Sequence, residues 1–306
     1  MKKSIFRFIS IIALVLLLIK PNLAYEGAKN GLLLWSQVVL PTLLPFMICS
    51  NLIVSLNAIN LLTFPIRWLL HSVLKLSKAG SYVFVAGILC GYPMGAKTCS
   101  EFMQSQKITK KEGQYLLSIC NHPSPMFLLG YVAMRIPDIL PISILLLSVY
   151  LPTIVIAWLA RGYYDISEIS QSLECEEKSK QSFDESLMNS FDVMIKIGGY
   201  MMIFSIIAMY IYILPIGSDF AKTILLGIIE ITTGIQALSQ YNSQMITGLC
   251  MVFVTTFGGF SGIFQTKSVM NHKDLSIQHY VRWKVIHSIL SVMTAVISLN
   301  LWSWLH

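Results

Sequence analysis

Charge is what this chain has least of: Asp, Glu, Lys and Arg together make up 12% of it, about half of the ~25% usual in a soluble domain. Too little polar surface remains to coat a water-soluble globule, which excludes a soluble fold. The six cysteines, Cys49, Cys90, Cys99, Cys120, Cys175 and Cys250, form no C-x-x-C pair, and most lie in apolar surroundings where Cys acts as a small hydrophobe. No disulfide framework or zinc site is expected. The chain carries no serine-hydrolase elbow, zinc-protease, phosphate-loop or dinucleotide-fold motif in a proper context, and its six histidines lack ligand spacing beyond a gap of seven from His272 to His279. The expectation is therefore no catalytic residue, no metal site, no cofactor and no enzymatic activity.

What the chain has in abundance is apolar sequence. Hydrophobic residues reach 55% and mean hydropathy is +0.67. Apolar stretches at 5–19, 30–56, 80–96, 113–135, 139–160, 188–214, 220–238, 243–264 and 284–304 alternate with polar clusters. Stretches of about 20 residues match a hydrocarbon core roughly 30 Å thick, and only a helix satisfies its own backbone across lipid. The fold class expected is an all-α, polytopic integral membrane protein with eight or nine membrane segments. Its net charge of +7 lies in short tracts between those segments, where lipid anchoring and orientation explain it better than nucleic acid does.

Four regions are expected. Residues 1–29 begin with basic residues and an apolar run, the pattern of a signal anchor or a cleaved signal; Asn22 three places from the end of a cleavage site after Ala24 favours the anchor. Residues 30–160 form an N-terminal membrane repeat. Residues 161–187 are a polar linker with seven acidic and three basic side chains, and 188–306 form a C-terminal membrane repeat. Within the first repeat, Arg67, His71, Lys75 and Lys78 recur at helical spacing beside Trp68, Leu69, Leu70 and Leu74, the pattern of an interfacial helix or of a basic strip facing a substrate.

Glycine and proline cluster where a membrane helix should be uninterrupted. "GYPMGAK" at 91–97 contains Gly91, Tyr92, Pro93, Gly95 and Lys97; "GGFSG" at 258–262 contains Gly258, Gly259, Ser261 and Gly262, with Gln265 just beyond. An offset of 167 superposes Gly91 on Gly258 and Gly95 on Gly262, and carries the cap position Thr109 onto Ser276. Paired breaks in two repeats point to a substrate site near the bilayer midplane. Small residues four apart also permit close helix packing without any site, although Pro93 costs an amide hydrogen bond that packing does not require.

A third break, "CNHPSPMF" at 120–127, places Asn121, Ser124 and Pro125 in apolar surroundings. Two prolines one residue apart stop a regular helix, leaving the Asn121 amide and Ser124 hydroxyl as solute ligands or as caps of the next half-helix. Glu230, in "LLGIIEITTGIQAL" beside Thr232 and Thr233, is an ionisable group at membrane depth, where insertion costs about 2.5–3.5 kcal/mol. Such a carboxylate can take a proton, a cation or a substrate hydroxyl, or pair with a neighbouring cation. Lys97 either faces the site or snorkels to the headgroups.

With "GYPMGAK", "CNHPSPMF", "GIIEITTGI" and "FGGFSGIFQ", the chain resembles the sporulation integral membrane protein family YlbJ, within the wider group carrying the nucleoside-recognition gate domain. The resemblance runs from about residue 30 to residue 300. It implies a multi-pass protein of the mother-cell membrane of a spore-forming bacterium, needed for spore cortex formation, with a gate domain similar to part of the concentrative nucleoside transporters. The positions matching the family's motifs are Gly91, Tyr92, Pro93, Gly95, Lys97, Asn121, Pro125, Glu230, Gly258, Gly259, Ser261, Gly262 and Gln265. His122 and Pro123 depart from the pattern.

The substrate-binding set expected is those thirteen residues with Ser124 and Thr233. The function expected is a transporter or permease for a small polar solute, with a coupling ion; a non-transporting scaffold for other sporulation membrane proteins is the alternative. Orientation poses a puzzle. The loops 97–111 and 267–284 are both basic, so both belong in the cytoplasm. Five complete crossings between the two glycine motifs would put them on opposite sides, unless a segment is re-entrant.

Overall fold

The computed structural model describes residues 2–56, 58, 61, 63–66, 68–138, 140–166, 183–215, 217–241 and 245–305. Every regular element among them is a helix. Helix α1 (Lys2–Ile19) is followed by α2 (Pro21–Leu34), which passes through a widened turn at Trp35–Val39 into α3 (Leu40–Ser55). Pro45 lies inside α3. The stretch 60–77 is not one interfacial helix. Pro65 falls in a single tight turn at Phe64–Ile66, a separate wide turn covers Leu69–Val73, and Leu70, Leu74 and Leu76 are buried. Arg67 and the linker residues 167–182 lie outside the described residues.

The centre of the first half holds α4 (Lys78–Cys90), α5 (Met94–Gln104), α6 (Lys110–Ile119), α7 (Pro125–Phe127, extended by a wide turn at Leu128–Val132) and α8 (Ile142–Tyr164). The second half repeats the order with α9 (Phe183–Tyr212), α10 (Asp219–Ile229), α11 (Ile231–Leu238), α12 (Met245–Phe257), α13 (Gly259–Val269) and α14 (Ile277–Leu305). Local chemistry sets several starts. Ser77, Thr109, Ser124 and Ser218 each accept a hydrogen bond from the backbone two or three residues inside the helix they open, satisfying amides that have no partner of their own.

Five helical stretches are long and apolar enough to cross a bilayer: Pro21–Ile53, Ile142–Tyr164, Phe183–Tyr212, Met245–Val269 and Ile277–Trp304. Two further pairs do not cross. A methyl group on Gly234 would overlap the Gly227 backbone, although seven residues of straight helix would hold them about 10 Å apart. Helices α10 and α11 therefore fold back on each other at Glu230. Gly87 and Gly95 likewise both press on the Cys120 carbonyl, so α4 and α5 fold back at Gly91–Pro93. Gly91 has φ +78°, a conformation that costs glycine nothing. Both pairs are re-entrant hairpins.

The hairpins resolve the orientation puzzle. Lys110 Nζ meets Asp274 Oδ1 at 2.7 Å, and the Asn271 and His272 amides donate to Ser100 Oγ at 2.9 and 3.0 Å. The loops 105–109 and 270–276 thus share one face. Lys110 also holds the Asp274 carboxyl below its ordinary value. Lys75, Lys78, Lys107, Lys111 and Lys273 belong to the same end of the bundle. Gly248, at the start of α12, packs near Leu140 on the opposite end. The α4/α5 hairpin enters from the basic face and the α10/α11 hairpin from the other, so the two halves are inverted repeats.

Element order changes the residue pairing between those halves. Gly91 corresponds to Glu230, each at a hairpin tip, and the 120–124 break corresponds to Gly258, each within a crossing helix. The offset of 167 instead matched a hairpin to a crossing helix. The alignment that follows the fold is "GILCGYPMG" at 87–95 with "GIIEITTG" at 227–234, and "SPMF" at 124–127 with "SGIF" at 261–264. Inter-helix contacts follow the same exchange: α6 packs on α8 as α12 packs on α14, α8 on α14, and α2–α3 on α9.

Candidate functional site at the hairpin tips

The four backbone interruptions converge. A cavity of about 40 Å³ is lined by Gly91 and Tyr92 of the first tip, Pro123 and Ser124 of the second break, Glu230 and Thr232 of the opposite tip, and Gln265 about two turns beyond the fourth break. Val39, Leu43, Ile197 and Met201 from the paired helices α2–α3 and α9 close its apolar side. At roughly 10–15 Å³ for each water position, it has room for about three or four waters.

Each break is held by backbone contacts with a neighbour. The Tyr92 amide donates to the His122 carbonyl at 2.9 Å, tying the first tip to the α6–α7 break. In the other half, the Gly227 and Ile229 carbonyls approach Gly259 at the start of α13. Carbonyls at one half-helix end thereby face the amide end of another, a favourable alignment of dipoles. The Tyr92 ring crosses between the halves and lies flat on the Gly258 and Gly262 positions, where a methyl group would sit 3.7 and 3.6 Å from its carbons.

Glu230 caps α11. Its Oε2 accepts from Thr232 Oγ1 at 2.5 Å, from the Thr233 amide at 2.7 Å and from Thr233 Oγ1 at 2.9 Å. Its Oε1 is buried and has no donor. The residue is 1% exposed. A carboxylate in this state presents one satisfied and one unsatisfied oxygen to the cavity, so it receives a proton, a hydrogen-bond donor or a cation with no rearrangement of the chain.

Asn121 bridges rather than lines the cavity. Its Oδ1 accepts from the Ala96 amide at 3.3 Å, and its Nδ2 donates to Thr266 Oγ1 at 3.0 Å and Tyr280 OH at 2.9 Å. Ser124 does both jobs: its Oγ accepts from the Phe127 amide at 3.2 Å as a cap, and it faces the cavity. Thr233 holds Glu230, while Pro93 and Pro125 open α5 and α7. Gly95, Gly258, Gly259 and Gly262 allow close approach. Ser261 accepts from Gln265 Nε2 at 2.9 Å. Lys97 pairs with Glu101 at 2.5 Å on α5, away from the cavity wall.

Helix α14 adds residues that local motifs did not single out. Lys284 is 2% exposed; its Nζ donates to the Thr256 carbonyl at 3.1 Å and lies 5.5 Å from the Tyr92 ring centroid. Thr256 is near the end of α12, where the break at Gly258 deprives carbonyls of their next-turn amides, so the ammonium caps a half-helix at its negative end. One turn on, His287 packs at a tilt of 54° against His122 with centroids 4.3 Å apart and donates from Nε2 to the Val149 carbonyl at 2.8 Å. In sequence, Lys284 stands where the basic loop 267–284 meets the apolar segment 284–304. The spacing of Lys284 and His287 by three, on one face of that segment, was the available signal.

No family model and no solved structure matches the chain. Among curated proteins, sporulation integral membrane protein YlbJ of Bacillus subtilis (strain 168) is 23% identical over 328 residues, spanning 94% of this chain and 79% of that protein. The family resemblance carried by the motifs is supported by this similarity: the chain is similar to YlbJ along nearly its whole length, and is an all-helical, multi-pass integral membrane protein.

Proposed function

We propose that the chain is a permease-like membrane protein that handles a small polar solute during sporulation, in the mother-cell membrane and in service of spore cortex formation. One observation carries this reading: interruptions of membrane helices, contributed by two oppositely inserted halves, meet around one cavity whose mainly apolar wall carries the polar side chains of Glu230, Ser124, Thr232, Gln265 and Tyr92. Backbone freed at membrane depth is tolerated where it faces protein or a polar hollow, and opposed broken helices are the arrangement through which secondary transporters alternate access. The sporulation setting rests on the similarity to YlbJ. The positive-inside rule supports a cytoplasmic location for the face that carries Lys78, Lys107, Lys110, Lys111 and Lys273.

A non-transporting scaffold for cortex-forming membrane proteins is the second reading, favoured by the tight backbone packing at both hairpin tips. Uptake into proteoliposomes separates the two. A panel of nucleosides, amino acids and short sugars is offered to wild-type protein and to Glu230→Gln, and the same variant is tested for sporulation. Uptake of one solute that drops at least tenfold in the variant, together with defective cortex, supports the permease. Full sporulation with Glu230→Gln supports the scaffold.

A further inference from the structure

The geometry points to a binding site for one monovalent inorganic cation at the hairpin tips, held by the Glu230 carboxylate. Three observations carry it. Glu230 Oε1 is buried without a donor, while Oε2 already takes two hydroxyls and an amide. A fixed carboxylate with one open oxygen in a low-dielectric setting calls for a positive partner. Besides the single sulfur of Cys90, the remaining polar side chains of the wall are the neutral oxygen-bearing groups of Thr42, Ser124, Thr232, Gln265 and the Tyr92 phenol. Those are ligands for a hard cation rather than a soft one.

The size and charge of the hollow narrow the choice. About 40 Å³ fits an ion with a water or two and excludes a ring-bearing solute in this conformation. Glu230 is the only acid on the wall, and no group of three or more His, Cys, Asp or Glu suited to a metal occurs among the described residues. Calcium or zinc sites ordinarily draw on several such ligands; a single negative charge is matched by sodium or potassium. Lys284 does not neutralise Glu230. It lies behind the Tyr92 ring, engaged with the Thr256 carbonyl, and no ion pair joins the two among the described residues.

This inference rests on the reading of the cavity as a solute site and gives that site its ion. It is tested without transport, on purified full-length protein in detergent. Melting is followed in lithium, sodium and potassium chloride at one ionic strength, with N-methylglucamine chloride as reference. A saturable rise on the order of 5 °C in sodium or potassium is expected, and its loss in Glu230→Gln. Identical melting in all four salts, a rise that persists in Glu230→Gln, or a response to pH alone would each overturn the site. Should that variant fail to fold, equilibrium binding of radioactive sodium or rubidium to wild type decides: one saturable site per chain supports the inference, and no saturable binding refutes it. Ion binding without solute uptake would sink the permease and leave the cation site standing.

Discussion

Asn121 donates to Thr266 Oγ1 at 3.0 Å across 145 residues of sequence. The bond joins the break of one inverted half to the helix that follows the break of the other, and the same amide reaches Tyr280 on α14 and the Ala96 amide on α5. One side chain thus ties together four elements that meet around the hairpin tips.

Replacing Asn121 by Leu keeps the branched shape of the side chain and leaves the Ala96 amide and two hydroxyls without this partner. Each buried polar group so orphaned costs about 1–3 kcal/mol, and some of the loss is recovered by rotating the hydroxyls. A destabilisation of about 2–4 kcal/mol is expected in denaturant unfolding of the detergent-solubilised protein. A loss below about 1 kcal/mol would show that the bridge does not hold the halves together.

The hairpin at Glu230 depends on bare backbone at Gly227 and Gly234. Gly234→Ala places a methyl group inside the Gly227 backbone, so α10 and α11 must separate and the tip must leave the cavity. Loss of the well-folded protein, or a melting temperature lower by more than about 10 °C, is expected from a clash of several kcal/mol. Gly199→Ala is the control. Nothing lies within 4 Å of a methyl group there, and in the body of α9 the change stabilises by about 0.5–1 kcal/mol. Equal behaviour of the two variants would contradict the re-entrant turn.

Orientation follows from re-entrance plus charge. A cysteine placed at Gln106, on the basic face, is expected to resist an impermeant maleimide in intact cells and to react after permeabilisation. One placed at Gln240, an exposed position on the opposite face, is expected to react in both. Both positions labelling alike in intact cells would place the two loops on one side and undo the inverted arrangement.

Much of the membrane architecture was legible in composition and spacing. Apolar stretches near 20 residues dictate helices, because lipid offers the backbone no other partner. Three of the four break positions followed from clusters of helix-disfavouring residues at Gly91–Pro93, Pro123–Pro125 and Gly258–Gly259, whereas the turn at Glu230 lies in an apolar stretch, 220–238, that reads as one segment. Thr109 announced the start of α6, and it caps that helix. Glu230 stood out because a carboxylate at that depth is costly anywhere.

The tertiary structure decided which breaks turn the chain back and which let it continue. A glycine permits either outcome, and the difference lies in what packs against it: Gly227 on Gly234 makes a hairpin, whereas Gly258 and Gly262 lie against the Tyr92 ring of the other half and the chain between them continues a crossing. Only that distinction fixes the inverted order and the pairing of Gly91 with Glu230. It also made Lys284 a cap of the half-helix ending near Thr256, because the carbonyl it satisfies is 28 residues away and is freed by a break that local sequence around Lys284 does not contain.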